Sequence, residues 1–159
     1  MIDETVTGDL MGVIDGRTML ERLGNHECWE LLRSRQTGRI GLLTGTHPEI
    51  FPINYAVMDR RIVFRTAAGT KLRALENHAA VCFEIDHSDV ESRTGWSVLV
   101  KGQAAELSRD EDLRRAAELP LDLWLVGHKN HWFAIRPSEV TGRRIAQPAG
   151  PSAGTPTQP

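Results

Sequence analysis

Apolar positions along this chain change their period several times. Between residues 18 and 35 they fall at Met19, Leu20 and Leu23, then at Cys28, Leu31 and Leu32. That is close to the i, i+3, i+4 stripe of an amphipathic helix. Gly24-Asn25-His26-Glu27 interrupts the stripe, so two helical pieces are expected, with Asn25 as the candidate cap of the second and Thr37-Gly38 as its end. From Arg39 the pattern becomes that of strands. Residues 39–44 (RIGLLT) form one, residues 45–48 (GTHP) a turn, and residues 49–58 (EIFPINYAVM) a second. Asp59-Arg60-Arg61 turns the chain into a third strand at Ile62, and so short a turn makes the second and third strands antiparallel neighbours. Pro52 cannot donate to a ladder, which places its strand at an edge or makes it irregular there.

Further strands are predicted at residues 80–85 (AVCFEI) and 96–107 (WSVLVKGQAAEL), with Gly102 marking a bulge or bend in the latter. Residues 86–95 between them read as a solvated acidic loop. Asp86, His87, Asp89 and Glu91 in that loop match no calcium-loop spacing. A helix over 109–119 is stopped by Pro120. Residues 132–136 (WFAIR) and 140–145 (VTGRRI) are a strand and its continuation beyond Pro137. Residues 1–14 read as a loosely held arm, 15–146 as one domain, and 147–159 as a disordered tail too poor in apolar side chains to offset its ordering entropy. Six or seven strands, mostly joined by tight turns, with a few short helices argue for a β-barrel with flanking helices.

Composition narrows the function. The 159 residues are 40% hydrophobic and 25% charged, the size and balance of one globular domain. A net charge of −2 gives no electrostatic case for nucleic acid or an anionic membrane as partner. No apolar run approaches the ~18 residues of a membrane span. The acidic N-terminus lacks the features of a signal peptide. Cys28 and Cys82 read as reduced core residues, so a cytoplasmic location is expected. His128 and His131 are spaced for a shared ligand face, but no further ligands stand near them, so no metal is expected and haem is disfavoured.

The most chemically loaded stretch is residues 62–72, IVFRTAAGTKL. A strand passes through a small-residue turn at Ala67-Ala68-Gly69 into a helix start, leaving unpaired N–H groups at one point. Arg65, Thr66, Thr70 and Lys71 add two cations and two hydroxyls there, a set suited to a phosphate. The order Gly-Thr-Lys is not that of a Walker loop. The alternative is a capped surface turn with two solvated cations.

Taken in order, FRTAAGTKL, GWSVLVKG and RPSEVTGRRI resemble the pyridoxamine 5′-phosphate oxidase-like proteins, FMN-binding split β-barrels, and most nearly their small actinobacterial-type branch. The resemblance covers residues 28–145. It implies a homodimer with FMN at the interface. The FMN phosphate would lie at Arg65, Thr66, Thr70 and Lys71. The strand segment Pro52, Ile53, Asn54 and Tyr55 would lie along the isoalloxazine ring. Trp96, Ser97 and Val98 of the partner subunit, with Trp132, would cover its other side, and Trp96, Val98 and Trp132 would supply the apolar interface. An oxidoreductase acting on a small molecule is implied. Deazaflavin F420 and haem are alternative ligands within the same superfamily, and a carrier or sensor without turnover is an alternative role. No His follows Arg143-Arg144, so the substrate side departs from that of true pyridoxamine-phosphate oxidases.

Overall fold

Alternating apolar residues that must bury one face, joined by tight turns at residues 45–46, 59–60 and 90–93 and by longer helix-bearing connections elsewhere, close here into a barrel. The structure, a computed structural model, describes residues 14–15, 19–67, 69–75, 79–121 and 131–145. The strands are β1 (Ile14–Asp15), β2 (Leu20–Leu23), β3 (Thr37–Thr44), β4 (His47–Met58), β5 (Arg61–Thr66), β6 (Ala79–Asp89), β7 (Thr94–Glu106) and β8 (His131–Ile145). The helices are α1 (Asn25–Arg33), α2 (Thr70–Leu75) and α3 (Asp110–Ala117). The strand order is β1-β2-β8-β5-β4-β3-β6-β7, with β7 also paired to β8. Strands β3 to β8 thus form a closed, antiparallel ring of six.

The ring is split along β8. Its first half pairs with β5, from Thr66↔His131 to Ile62↔Ile135. Its second half pairs on the same edge with β2, from Leu23↔Gly142 to Leu20↔Ile145. Strand β7 lies along its other edge throughout. The chain crosses Pro137 without leaving the strand because the register shifts there: Gly102 pairs with Pro137 and Lys101 with Glu139, leaving Ser138 as the extra residue of a bulge. Gly102 is required at this crossing, since a Cβ there would stand 2.2 Å from the Arg136 carbonyl oxygen. The bulge expected at Gly102 is therefore present.

Ile40, Phe64, Phe83, Val98, Val100, Phe133 and Ile135 fill the barrel, each 0–1% exposed. Helix α1 caps one end with Cys28, Trp29 and Leu32. Helix α3 instead covers the outer face of β5 and β8, where Ala116 joins Met58, Val63 and Ala134 in a second cluster. The turn between β4 and β5 has positive φ at Asp59 (49°) and Arg60 (54°), the pair of left-handed residues that matches strand twist in a tight hairpin.

Several expectations are corrected. The first helical piece, at residues 18–23, is strand β2, with Leu20 to Leu23 paired to β8. Asn25 opens α1 but does not cap it; Gly24 holds the cap position without a side-chain hydrogen bond. Thr37 and Gly38 belong to β3. Residues 86–89 are not loop but the end of β6, paired to residues 94–97. Cys28 is buried as expected, whereas Cys82 is exposed. Of the expected arm, Ile14 alone is described, in β1. The expected tail at 147–159, and His128, lie outside the described residues.

Candidate functional site

Strand alternation sorts the expected site residues between two faces. Ile53 and Tyr55 on β4 and Phe64 on β5 point into the barrel core. Asn54 therefore faces outward, as does Arg65, whose strand neighbours Phe64 and Thr66 are buried. Arg65 pairs across the ladder with Trp132 on β8. Its guanidinium carbon lies 4.7 Å from the Trp132 ring centroid, a cation–π contact. Asn54, Arg65 and Trp132 thus form a row on the outer face of three adjacent strands, and the Arg65 Nε is buried with no hydrogen-bond partner among the described residues. A buried donor left unpaired is costly, so the position is suited to an acceptor supplied from outside the chain.

Thr66 does not join that row. It is 3% exposed on the inner face, and its hydroxyl donates to the Ala67 carbonyl oxygen at 3.2 Å. Arg65 and Thr66 are adjacent on one strand and so point to opposite faces, a consequence of period two that the grouping of four polar residues in the sequence overlooked. Thr70 and Lys71 open α2 directly after Gly69, but their side chains lie outside the described residues. Pro52 pairs with Arg39 on β3 and is exposed.

The side chains of Ile53 and Tyr55 serve the barrel core. The Tyr55 hydroxyl donates to the Leu32 carbonyl oxygen at 2.6 Å, and its amide donates to the Gln36 carbonyl oxygen at 2.9 Å. Burial pushes the Tyr55 hydroxyl well above the usual phenol range, and Arg35 opposes that shift. Val98 is fully buried in its own barrel. Trp96 is half-buried between the Arg35 guanidinium, 5.2 Å from its ring centroid, and the His87 ring, 6.2 Å away. Ser97, half-buried, pairs with Asp86 and Arg143. Val98 therefore offers no exposed apolar surface, whereas Trp96 and Trp132 are each partly exposed.

Two groups near these rows went unread in the sequence. His131 Nδ1 lies 2.7 Å from Glu106 Oε1, at the β8 position opposite Thr66. Its spacing to His128 had drawn attention away from this cross-strand partner. Arg35 carries no sequence signal for its place on Trp96, because a loop residue meets β7 only in the folded barrel.

The fold that carries this row is matched by known proteins. The family model described as pyridoxamine 5′-phosphate oxidase matches residues 24–144. The chain belongs to this family. An uncharacterised protein of Mycobacterium tuberculosis is 36% identical over 128 residues, covering 77% of this chain and 84% of that protein. Among solved structures, the FAD-binding protein from Mycobacterium smegmatis is 43% identical, with a TM-score of 0.69 over 79% of this chain and 99% of that one. A conserved protein of unknown function from Corynebacterium diphtheriae is 31% identical, with a TM-score of 0.68 over 80% and 98%. The family match begins just after β2 and ends at Arg144, the penultimate residue of β8, so it covers β3 to β7 and nearly all of β8.

Proposed function

We propose that the protein binds a flavin nucleotide on the outer face of β4, β5 and β8 and works as an oxidoreductase on a small molecule. The observation that carries this is Arg65. It is half-buried, fixed over Trp132, and holds an Nε without a hydrogen-bond partner among the described residues. An arginine pre-positioned in that way suits a phosphate oxygen, because its planar donor fork loses little freedom on binding. Asn54 stands on the same face with amide groups for a polar ring edge. Thr70 and Lys71 follow within one turn of the same junction.

A bound flavin supplies the capacity to accept and pass on a hydride or single electrons, so the chain itself needs no nucleophile–base pair. Arg65 would hold the phosphate, Trp132 would keep the guanidinium in place, and the strand segment from Pro52 to Asn54 would orient the ring. Family membership supports a flavin, and the name of the 43%-identical protein favours FAD over FMN. No helix among the described residues is long and apolar enough to cross a membrane. Both cysteines are free thiols, as suits a reducing compartment.

The test is to purify the protein, release its ligand by denaturation, and identify it by absorbance and chromatography against FMN, FAD, F420 and haem standards. FAD or FMN at a stoichiometric level is expected. A released deazaflavin or haem, or failure of the apo-protein to bind either flavin at micromolar concentration, would overturn the reading.

A further inference from the structure

Arg143 and Arg144 are neighbours on β8 with opposite surroundings. Arg144 turns toward α1, where it bonds Glu27 and lies 3.7 Å from Glu21. Arg143 points away from the barrel, because the inner side of Gly142 before it is filled by Cys28 and Leu23. Its partner across the β2–β8 ladder is Arg22, exposed on the same face. Like charges directly opposite one another on a sheet weaken the pairing. Neither Arg22 nor Arg143 has an ion pair or a hydrogen bond among the described residues. On the other side of β8, Ser97 stands opposite Arg143 and brings a hydroxyl to this face. The carboxylate next in line, Asp86 opposite Ser97 on β6, is already held by Arg39 at 2.8 Å. One step along, Ile145 pairs with Leu20 on one side and Gly95 on the other. Ile145 is 47% exposed, and Gly95 has no side chain to cover it.

We propose that this outer face of β2, β8 and β7 binds a small organic acid, its carboxylate between Arg22 and Arg143 and its apolar body on Leu20 and Ile145. A guanidinium fork matches the two oxygens of a carboxylate. An anion between the two arginines replaces one repulsion with two attractions, and the Ser97 hydroxyl donates to the same group. Both arginines are exposed, so water competes and salt screens the contact. The seat is therefore an open one, unlike the enclosed pocket that fixes a substrate phosphate for turnover. Binding of the acid stands on these residues alone. That the acid is the small molecule acted on rests on the flavin reading, in which Ser97 of the partner subunit covers the ring.

Calorimetric titration of the purified protein with 2-naphthoate at low salt is expected to show saturable binding. The neutral 2-naphthamide should bind about fivefold more weakly or worse, the upper end for losing an exposed ion pair. Arg143→Gln and Arg22→Gln should each weaken naphthoate by a similar factor. Arg22→Glu is the sharper variant. It sets opposite charges across the ladder, so its melting temperature should hold or rise while naphthoate binding is lost. An arginine with a merely structural role would give the reverse, a lower melting temperature with binding unchanged. Equal affinity for acid and amide, no binding of naphthoate, binding that survives Arg22→Glu, or a lowered melting temperature in that variant would each overturn the proposal. Flavin content, read by absorbance in the same samples, reports on the separate cofactor reading.

Discussion

The Tyr55 hydroxyl donates to the Leu32 carbonyl oxygen at 2.6 Å, joining the last turn of α1 to the middle of β4. Carbonyls in a helix's final turn have no partner within the helix, so a buried one must find its donor elsewhere. Tyr55→Phe removes that donor while keeping the ring that meets Phe83 edge-on at 4.7 Å. A loss of about 1 kcal/mol is expected, a fall in melting temperature of roughly 2–4 °C for a chain of this size. The same variant should change the alkaline limb. Burial raises the Tyr55 pKa in the folded state, so its contribution is fully present below the ordinary phenol value of about 10 and is lost as pH rises beyond it. Denaturant titrations between neutral pH and pH 11 should show a steeper alkaline decline in the unmodified protein than in Tyr55→Phe.

Helix α3 is fastened by charge as well as by Ala116. Arg61 reaches Asp112 through two nitrogens, at 3.0 and 3.3 Å, and Arg115 reaches Asp59 in the β4–β5 turn at 2.7 Å. The Arg61 guanidinium holds the Asp112 carboxyl below its ordinary value, and Arg115 does the same for Asp59. A depressed carboxylate pKa stabilises the fold above the unfolded value of about 4 and loses that contribution as pH falls through the folded value. Asp112→Asn should therefore speed amide exchange in α3 at neutral pH and narrow the difference from the unmodified protein below pH 4. Unchanged exchange in α3 would show that apolar contacts alone hold it.

Much of this barrel was legible because its strands are locally consistent. Residues 39–44, 62–66 and 96–106 combine β-branched or aromatic residues with clear turns, and each lies where the pattern put it. Strand β2 was not legible. Leu-Glu-Arg-Leu has helical spacing at Leu20 and Leu23, and what makes it a strand is pairing with residues 142–145, well over a hundred positions away. Asp86 to Asp89 look like loop because they are polar, yet Arg39 bonds Asp86 at 2.8 Å and the strand continues along β7. At the site, Arg65 was found by its chemistry. Its separation from Thr66 followed from strand period alone, whereas its seat on Trp132 depended on a register that no local pattern encodes.

Gly102 makes a sharp test of the bulge. Its missing side chain lets the backbone at Arg136 and Pro137 approach within the space of a methyl group. Gly102→Ala should force the β7–β8 register apart and cost about 1–3 kcal/mol, the usual range for overpacking. Thermal unfolding reads this directly. A variant as stable as the unmodified protein would mean that the strands can separate there at no cost.

Arg65→Ala should weaken flavin binding at least tenfold, since a charge-assisted hydrogen bond contributes about 1.5–3 kcal/mol. Arg65→Lys keeps the charge but loses the fork and the planar stack on Trp132, so an intermediate affinity is expected. Fluorescence titration of the apo-proteins with FMN and with riboflavin separates phosphate recognition from ring binding. The defect should be large for FMN and small for riboflavin. Equal losses for the two ligands would place Arg65 against the ring and not the phosphate.

A true pyridoxamine-phosphate oxidase needs a second cationic pocket for the phosphate of its substrate, and the end of β8 is poorly placed to supply one. Arg144, one of the two arginines there, is bonded to Glu27 and lies 3.7 Å from Glu21, so two carboxylates already surround it. Arg143 is exposed on the strand opposite Ser97 and Arg22, and no His follows it. Freeing Arg144 for a substrate would leave Glu21 and Glu27 facing the same incoming phosphate. Loss of a single positioned charge can remove orders of magnitude in turnover efficiency. The flavin-loaded protein, supplied with pyridoxine or pyridoxamine phosphate in air, is therefore expected to form pyridoxal phosphate with a kcat/KM well below the ordinary enzyme range, which begins near ~10⁴ M⁻¹s⁻¹. Glu27→Gln releases one of the two carboxylates and should raise that value if Arg144 is the limiting group. Efficient turnover by the unmodified protein would show that Arg143 alone suffices, or that substrate phosphate is held elsewhere on the barrel.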